Sequence, residues 1–445
     1  MSKPLITVVL PSLNVKEYIE TCIRSVIDQS LHELEILCVD AGSTDGTLEI
    51  LEKYALLDER IKIIHSDMKS YGKQVNMGFD IAKGKYVAVV ETDDYIEQCM
   101  YEKLYRIAEE NQLDFIKADF KGFRTLGSGQ HVYDEGKVGK RDDIYGKVLS
   151  AREYPELYTR DVNIWKGIYN KDFLVKNGIW LNETQGAAFQ DIGFCLLALL
   201  YAKRGMYVPD MLYYYRRDSV GSSSRKPQGL RFAYQEFKRL LNLPISGENK
   251  ELFFRFLYIR ASYVFVGEYE KILEFGKEMD LEFQEIVRWF QSLLARKIEQ
   301  REIIKEDVGG KTWNKLLLLI EDEALYVANW YENRRRQKEE EGSLLNRIGE
   351  DDIIVFGCGR CGMETLLFCD KHNIKIRAFS DNDSSLWRSK FYGYEVYEVS
   401  RLQMKYCDVK ILISTQKHQQ AIREQLNRLG IREECILVFK NFITD

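Results

Sequence analysis

The stretch that decides the fold is Val39-Asp-Ala-Gly-Ser-Thr-Asp-Gly-Thr47. It leaves an apolar run, Leu34-Glu-Ile-Leu-Cys-Val39, and enters a helical pattern that opens at Thr47 and reaches Tyr54. A strand that ends in polar residues and glycine before a helix is one unit of an α/β fold. Gly46, after Asp45, suits the tight turn into that helix.

The same alternation extends in both directions. Leu5-Ile-Thr-Val-Val-Leu10 reads as a buried strand, and Ile19, Cys22, Ile23, Val26 and Ile27 recur at helical spacing. Further on come a strand, Ile61-Lys-Ile-Ile64, and a helix over Val75 to Ala82 closed by Gly84. The strand Tyr86-Val-Ala-Val-Val90 then runs into the acidic cluster Glu91-Thr92-Asp93-Asp94. Such an array predicts a parallel sheet with helices on its faces, where ligands bind beyond the carboxyl ends of the strands. Three polar clusters fall at those ends: Pro11-Ser12-Leu-Asn14, Asp40 to Asp45, and Glu91 to Asp94. Alone, an Asp before a turn is ordinarily a cap and a short acidic run ordinarily solvated surface. Together they point to one site, and the acidic cluster offers hard oxygens suited to Mg2+ or Mn2+ beside substrate phosphates.

From about Lys226 to Arg347 the chain is rich in Leu, Phe, Glu, Lys and Arg, with helical periodicity such as Phe253, Phe256, Leu257, Arg260 and Tyr263. At Asp352 strand signals return: Ile353-Ile-Val-Phe356 enters Gly357-Cys-Gly359-Arg-Cys-Gly362, then a helix over Met363 to His372 and a strand, Ile376-Arg-Ala-Phe379. Glycines at this spacing between strand and helix allow a tight turn and close approach of a pyrophosphate, with Asp381 placed for a ribose. Retention of the turn by a domain acting as scaffold is the commoner outcome. Cys358 and Cys361 have no second pair or nearby His to complete a zinc site. Tyr406 and Lys410 have reductase-like spacing but do not lie on a helix. The expected division is therefore 1–225 for an α/β domain, 226–347 for a helical region, and 348–445 for a small Rossmann-like α/β domain.

The 445 residues have a formal net charge of −5, which gives no pull toward nucleic acid. No signal-peptide pattern precedes the first strand, and the best apolar run, Ile192 to Ala202, falls short of the roughly 20 residues needed to span a bilayer. Nine scattered cysteines read as free thiols. The expected location is the cytoplasm, with peripheral association at the inner face of the membrane and self-association both left open.

The segment Ile6 to Leu104 resembles the nucleotide-binding half of inverting family 2 glycosyltransferases of the GT-A fold. The matching residues are Pro11, Asn14, Ser25, Gln29, Val39 to Thr47, Asn76-Met-Gly78 with Ala82 and Gly84, and Glu91 to Asp94. The resemblance implies that Asp40 contacts the nucleobase, with Pro11, Ser12 and Asn14 lining its pocket. It places Asn76 and Thr92 on the donor side as well, Asp93 on the divalent metal, and Glu91 on the ribose or beside the metal. Lys73 is a candidate for the diphosphate or the base. A second, looser match covers Asn163-Ile-Trp-Lys-Gly-Ile-Tyr169, then Gly186 to Phe194, Tyr213-Tyr-Tyr-Arg216 and Ser222-Ser-Ser224. There Asp191 stands where the family has its catalytic base, Gln190 replaces the usual Glu, and Trp165 and Arg216 are candidates for acceptor or diphosphate contacts. The implied partners are a UDP-sugar donor and a glycan or glycoconjugate acceptor. The competing readings are a catalytically weak nucleotide-binding scaffold and a sugar-phosphate nucleotidylyltransferase. The latter lacks support, because Pro11-Ser-Leu-Asn14 is not its Gly-rich, Arg-containing loop.

Overall fold

A computed structural model describes residues 3–139, 144–219, 226–405 and 409–440, without the side chains of residues 403–405. The Ser222–Ser224 motif and Tyr406 lie outside the described residues. The chain divides into two compact units, Met1–Phe123 with Glu135–Tyr326, and Arg124–Asp134 with Val327–Asp445.

The first unit begins with β1 (Ile6–Ser12), α1 (Lys16–Ile27), β2 (Leu34–Asp40), α2 (Thr47–Leu57), β3 (Ile61–His65), α3 (Tyr71–Ile81) and β4 (Tyr86–Val89). These four strands are parallel, with β1 between β2 and β4, and Ser12 pairs in register with Asp40. Every residue of β1, β2 and β4 is buried, as strands covered on both faces require. Gly78 lets α3 lie flush on β1, since a Cβ there would come within 2.5 Å of Val9. The helix α3 starts a turn earlier than its apolar spacing predicts because the Ser70 side chain caps it, accepting from Lys73 N.

The chain continues through β5 (Tyr95–Ile96), α4 (Met100–Asn111), β6 (Phe115–Thr125), β7 (His131–Gly136), α5 (Leu157–Arg160), β8 (Gly167–Asn170), α6 (Lys171–Lys176), α7 (Gln190–Tyr201) and β9 (Gly205–Arg216). The strand order is β3-β2-β1-β4-β8-β6-β9-β5, with β7 on β6. Antiparallel β8 joins the parallel half to β6 and β9. Five helices follow in this unit: α8 (Gly229–Leu241), α9 (Asn249–Glu274), α10 (Leu281–Glu299), α11 (Lys305–Val308) and α12 (Gly310–Glu321). The helical stretch set apart at 226 is thus largely part of the first unit, because α8 and α9 cover the apolar helix α7. Helix α7 is buried from Ile192 to Leu200 and needs that cover.

The second unit holds most of α13 (Glu323–Ile348), then β10 (Ile353–Phe356), α14 (Arg360–Lys371), β11 (Ile376–Asp381), β12 (Lys390–Phe391), β13 (Tyr394–Glu398), α15 (Ser400–Lys405), β14 (Lys410–Ile413), α16 (Gln419–Arg428) and β15 (Ile436–Val438). Its six-stranded sheet runs β12-β13-β11-β10-β14-β15 and is parallel except at β12. Leu126, after β6, and Val132, in β7, are buried in its core. Among the described residues no helix is long and apolar enough to cross a membrane.

Candidate active site

The carboxyl ends of β1, β2 and β4 carry the three predicted clusters, and side chains stitch them together. Asn14 takes a left-handed backbone (φ 54). Its N–H donates to Ser43 Oγ at 3.0 Å, and its side-chain oxygen accepts from Thr44 N at 2.9 Å. Asp45 accepts from the N–H groups of Lys16 and Thr47, both at 3.0 Å. The fully buried Asp40 holds its own turn: Oδ1 accepts from Gly42 N and Ser43 N, each at 2.9 Å, and Oδ2 from Ser43 Oγ at 2.5 Å. The Thr92 hydroxyl donates to Pro11 O at 2.9 Å. Gln74, which the motif reading passed over, donates from α3 to Ser12 O at 2.9 Å and Val39 O at 2.6 Å. A buried amide pinning two strand ends makes this rim rigid.

The acidic turn after β4 is braced from β9. Tyr213 accepts from Glu91 N at 3.0 Å and donates to Asp94 Oδ2 at 2.7 Å, while Arg216 N donates to Asp94 Oδ1 at 2.7 Å. Asp94 is therefore structural. Arg216 Nε donates to Asp93 O at 3.1 Å, and its guanidinium lies over Tyr18 and Phe123. Asp93 keeps part of its surface open; burial raises its carboxyl above the usual range against a hydrogen bond with Ser219 and the charge of Arg216. Tyr71 donates to Glu91 Oε1 at 2.5 Å. Burial, with the charges of Asp93 and Asp191, still pushes Glu91 up to about 8.

Asp191 sits in the first turn of α7, after Phe189 in a left-handed conformation (φ 68). Burial raises its carboxyl to about 6, against the nearby Arg260 charge and helix N–H groups, while Glu236 adds to the rise. Its charge also acts on Glu91 and Tyr71, so Asp191 lies within electrostatic reach of the acidic turn. Gln190 points inward. Its Nε2 donates to Thr184 O, Thr184 Oγ1 and Gly186 O, each at 3.2 Å, and Oε1 is buried without a partner.

Other candidate side chains are engaged within the protein. Asn76 is bonded to Leu181 and Glu183, and Lys73 forms an ion pair with Glu183 at 3.2 Å. Both side chains of α3 thus hold the segment that leads to Asp191. Trp165 is only 5% exposed, stacked on Tyr213 and Tyr215, so it is core rather than an open platform. Arg260 was visible in the sequence as one position of an apolar helical stripe, the signal of a charged side chain facing inward.

A metal ion fits the acidic turn on the chemistry of the donor set. Among the described residues no trio of His, Cys, Asp or Glu is arranged around an ion. One carboxylate with substrate phosphates and water is, however, an ordinary set for Mg2+. Asp93 offers such a carboxylate, whereas both oxygens of its neighbour Asp94 are engaged by Tyr213 and Arg216.

In the second unit, Gly357 (φ 113) abuts Ser414, and a Cβ on Gly362 would come within 2.1 Å of Gly357 O, so both glycines serve close packing. Around Gly359 the space is open. Asp381 accepts from Cys358 N at 2.7 Å and Asp383 N at 2.9 Å. A cavity of about 350 Å3 lies at these strand ends, lined by Gly357, Asp381, Asn382, Thr415, His418 and Gln425 among others. Cys358 is buried, Cys361 is exposed, and both are free thiols.

Residues 7–143 match the family described as Glycosyl transferase family 2, and residues 349–437 match the one described as C2185-like, N-terminal. The chain is 30% identical over 220 residues to EpsJ of Bacillus subtilis, an uncharacterised glycosyltransferase, covering 48% of this chain and 62% of that one. It therefore spans less than two thirds of that relative's length. It is 27% identical over 295 residues to the glycosyltransferase GlyG of Streptococcus pneumoniae, covering 63% of this chain and 94% of that one. Among solved structures, TarS residues 1–349 of S. aureus in complex with UDP matches with a TM-score of 0.52 at 20% identity, covering 74% of this chain and 91% of that one. The first unit has the GT-A fold.

Proposed function

We propose that this chain is a glycosyltransferase that takes a sugar from a UDP-linked donor and passes it, with inversion, to a hydroxyl of a glycan or of a lipid- or protein-linked acceptor. The observation that carries the reading is the set of polar clusters at the carboxyl ends of β1, β2 and β4, held together by Asn14, Gln74 and Thr92. The family match over residues 7–143 and the names of the relatives support the same class. The UDP in the TarS complex supports the donor nucleotide.

In this mechanism the stitched loops at Pro11–Asn14 and Asp40–Thr47 receive the nucleoside, and Asp93 would hold Mn2+ or Mg2+. When bound, the ion would stabilise charge on the departing nucleoside diphosphate. Asp191 takes the proton of the acceptor hydroxyl as its oxygen attacks the anomeric carbon. Gln190 anchors the turn before α7 and takes no proton. The second unit has a supporting role, since Asp381 is engaged in holding its own loop. The reading places the protein in the cytoplasm.

The test is a screen of UDP-sugars with Mn2+ for release of UDP. Turnover that Asp191→Asn abolishes while UDP binding persists supports the reading. Binding of UDP with no turnover of any nucleotide-sugar favours the scaffold alternative.

A further inference from the structure

We infer that Arg260 is the anion-binding residue of the acceptor site, so that the acceptor carries a phosphate or carboxylate beside the hydroxyl that reacts. This rests on the glycosyl-transfer reading with Asp191 as its base.

Arg260 lies on α9, within a face whose neighbours Phe256, Leu257, Ile259 and Ala261 are buried. Its Nε and Nη2 are both buried, and neither has a hydrogen-bond partner. Two buried guanidinium nitrogens left without a hydrogen bond are costly, and native folds rarely keep them unless something else completes them. The protein's own carboxylates do not. Asp161 is taken up by Lys117 Nζ at 2.7 Å, Lys166 Nζ at 3.0 Å and the Tyr207 hydroxyl at 2.6 Å. Glu236, from α8, is paired with Arg239 at 2.6 Å. Asp191 acts most strongly on Arg260, yet no hydrogen bond joins the two, and a base must keep its oxygen open for the acceptor's proton.

The cation that acts on Asp93 is Arg216, whereas the cation that acts on Asp191 is Arg260. The two guanidiniums thus attend two ends of one site. The planar fork of an arginine matches the paired oxygens of a phosphate or carboxylate. An anionic group there would neutralise Arg260 and leave Asp191 free.

The test uses the full chain with UDP and Mn2+, and probes that share a glycerol frame: glycerol, glycerate and glycerol 3-phosphate. Binding is followed by calorimetry or ligand-observed NMR. We expect one or both anions to bind at least tenfold more tightly than glycerol, and their ranking separates phosphate from carboxylate. Arg260→Gln should lose at least tenfold of that anion affinity, and Arg260→Lys should keep part of it. UDP affinity should be equal in all three proteins, which also reports their folding. Equal anion affinity in parent and Arg260→Gln overturns the assignment, as does a parent that does not distinguish the anions from glycerol. Should Arg260→Gln fail to fold, Arg260→Lys decides, and parent-like anion affinity there overturns it. A parent that binds the anions through Arg260 but not UDP would instead overturn the donor reading.

Discussion

Asn76 grips Leu181 at both ends of its amide: Nδ2 donates to Leu181 O at 2.9 Å, and Oδ1 accepts from Leu181 N at 3.0 Å. A residue of the donor-half motif thereby fixes the chain that runs on to Asp191. Asn76→Ala would leave both polar groups of Leu181 buried and unpaired, at a cost of about 1–3 kcal/mol. We expect a lower melting temperature and lower kcat with UDP affinity unchanged. A loss confined to UDP affinity, with melting and kcat intact, would make Asn76 a donor contact after all.

Asp93 is the only carboxylate of its turn assigned to the metal. Asp93→Ala should lose turnover of the UDP-sugar, and chelation should do the same to the parent, with recovery on adding Mn2+ or Mg2+ back. Asp94→Asn should instead lower thermal stability, because it replaces an acceptor of Tyr213 and Arg216. Full turnover in excess chelator would remove the metal from the mechanism.

Much of this was legible because the strand ends are encoded locally. A buried strand, a polar cluster and a helix start occupy adjacent residues, so Asp40, Asp45 and Asp93 could be placed without long-range information. The opposite held for side chains acting across the sheet. The partners of Asn76 and Lys73, Leu181 and Glu183, lie more than 100 residues further on and are not readable locally. Trp165 looked available for a sugar because the stacked Tyr213 and Tyr215 arrive on another strand. Arg260 was seen only as periodicity, since its proximity to Asp191 depends on α9 covering α7. The helical stretch appeared separate for the same reason: an amphipathic pattern says that a face is covered, not what covers it.

Gly193 tests that cover. A Cβ there would meet Glu236 Oε1 at 2.0 Å and Arg239 Nη2 at 2.5 Å, so Gly193→Ala must push apart α7 and α8 or break the ion pair. Overpacking of this kind costs about 1–3 kcal/mol. The expected result is a clear drop in melting temperature, with kcat falling more than UDP affinity because α7 carries the base. A variant as stable as the parent would mean that α8 does not pack on Gly193.

The acid limb of the reaction should belong to Asp191. Burial, the largest influence, lifts its carboxyl from an ordinary 3.8 to about 6, and only the ionised form can accept the acceptor's proton. We expect kcat to level off above that pH and to fall about tenfold per unit below it. Stability moves the other way. Between 3.8 and about 6 the folded chain holds a proton at Asp191 that the unfolded chain has released, so this group's contribution declines as pH rises. Loss of activity at pH 5 therefore cannot be unfolding driven by Asp191, and melting curves at pH 5 and 7 would separate the two. Asp191→Asn keeps the helix N-terminus supplied with a polar side chain but cannot take a proton. It should lower kcat by roughly a hundredfold or more, bind UDP as the parent does, and show no acid limb near pH 6. Gln190→Ala is the control: it should soften the turn at Thr184 and Gly186 yet retain the limb. If Asp191→Asn transfers sugar at the parent's rate while Gln190→Ala is inactive, the base lies elsewhere.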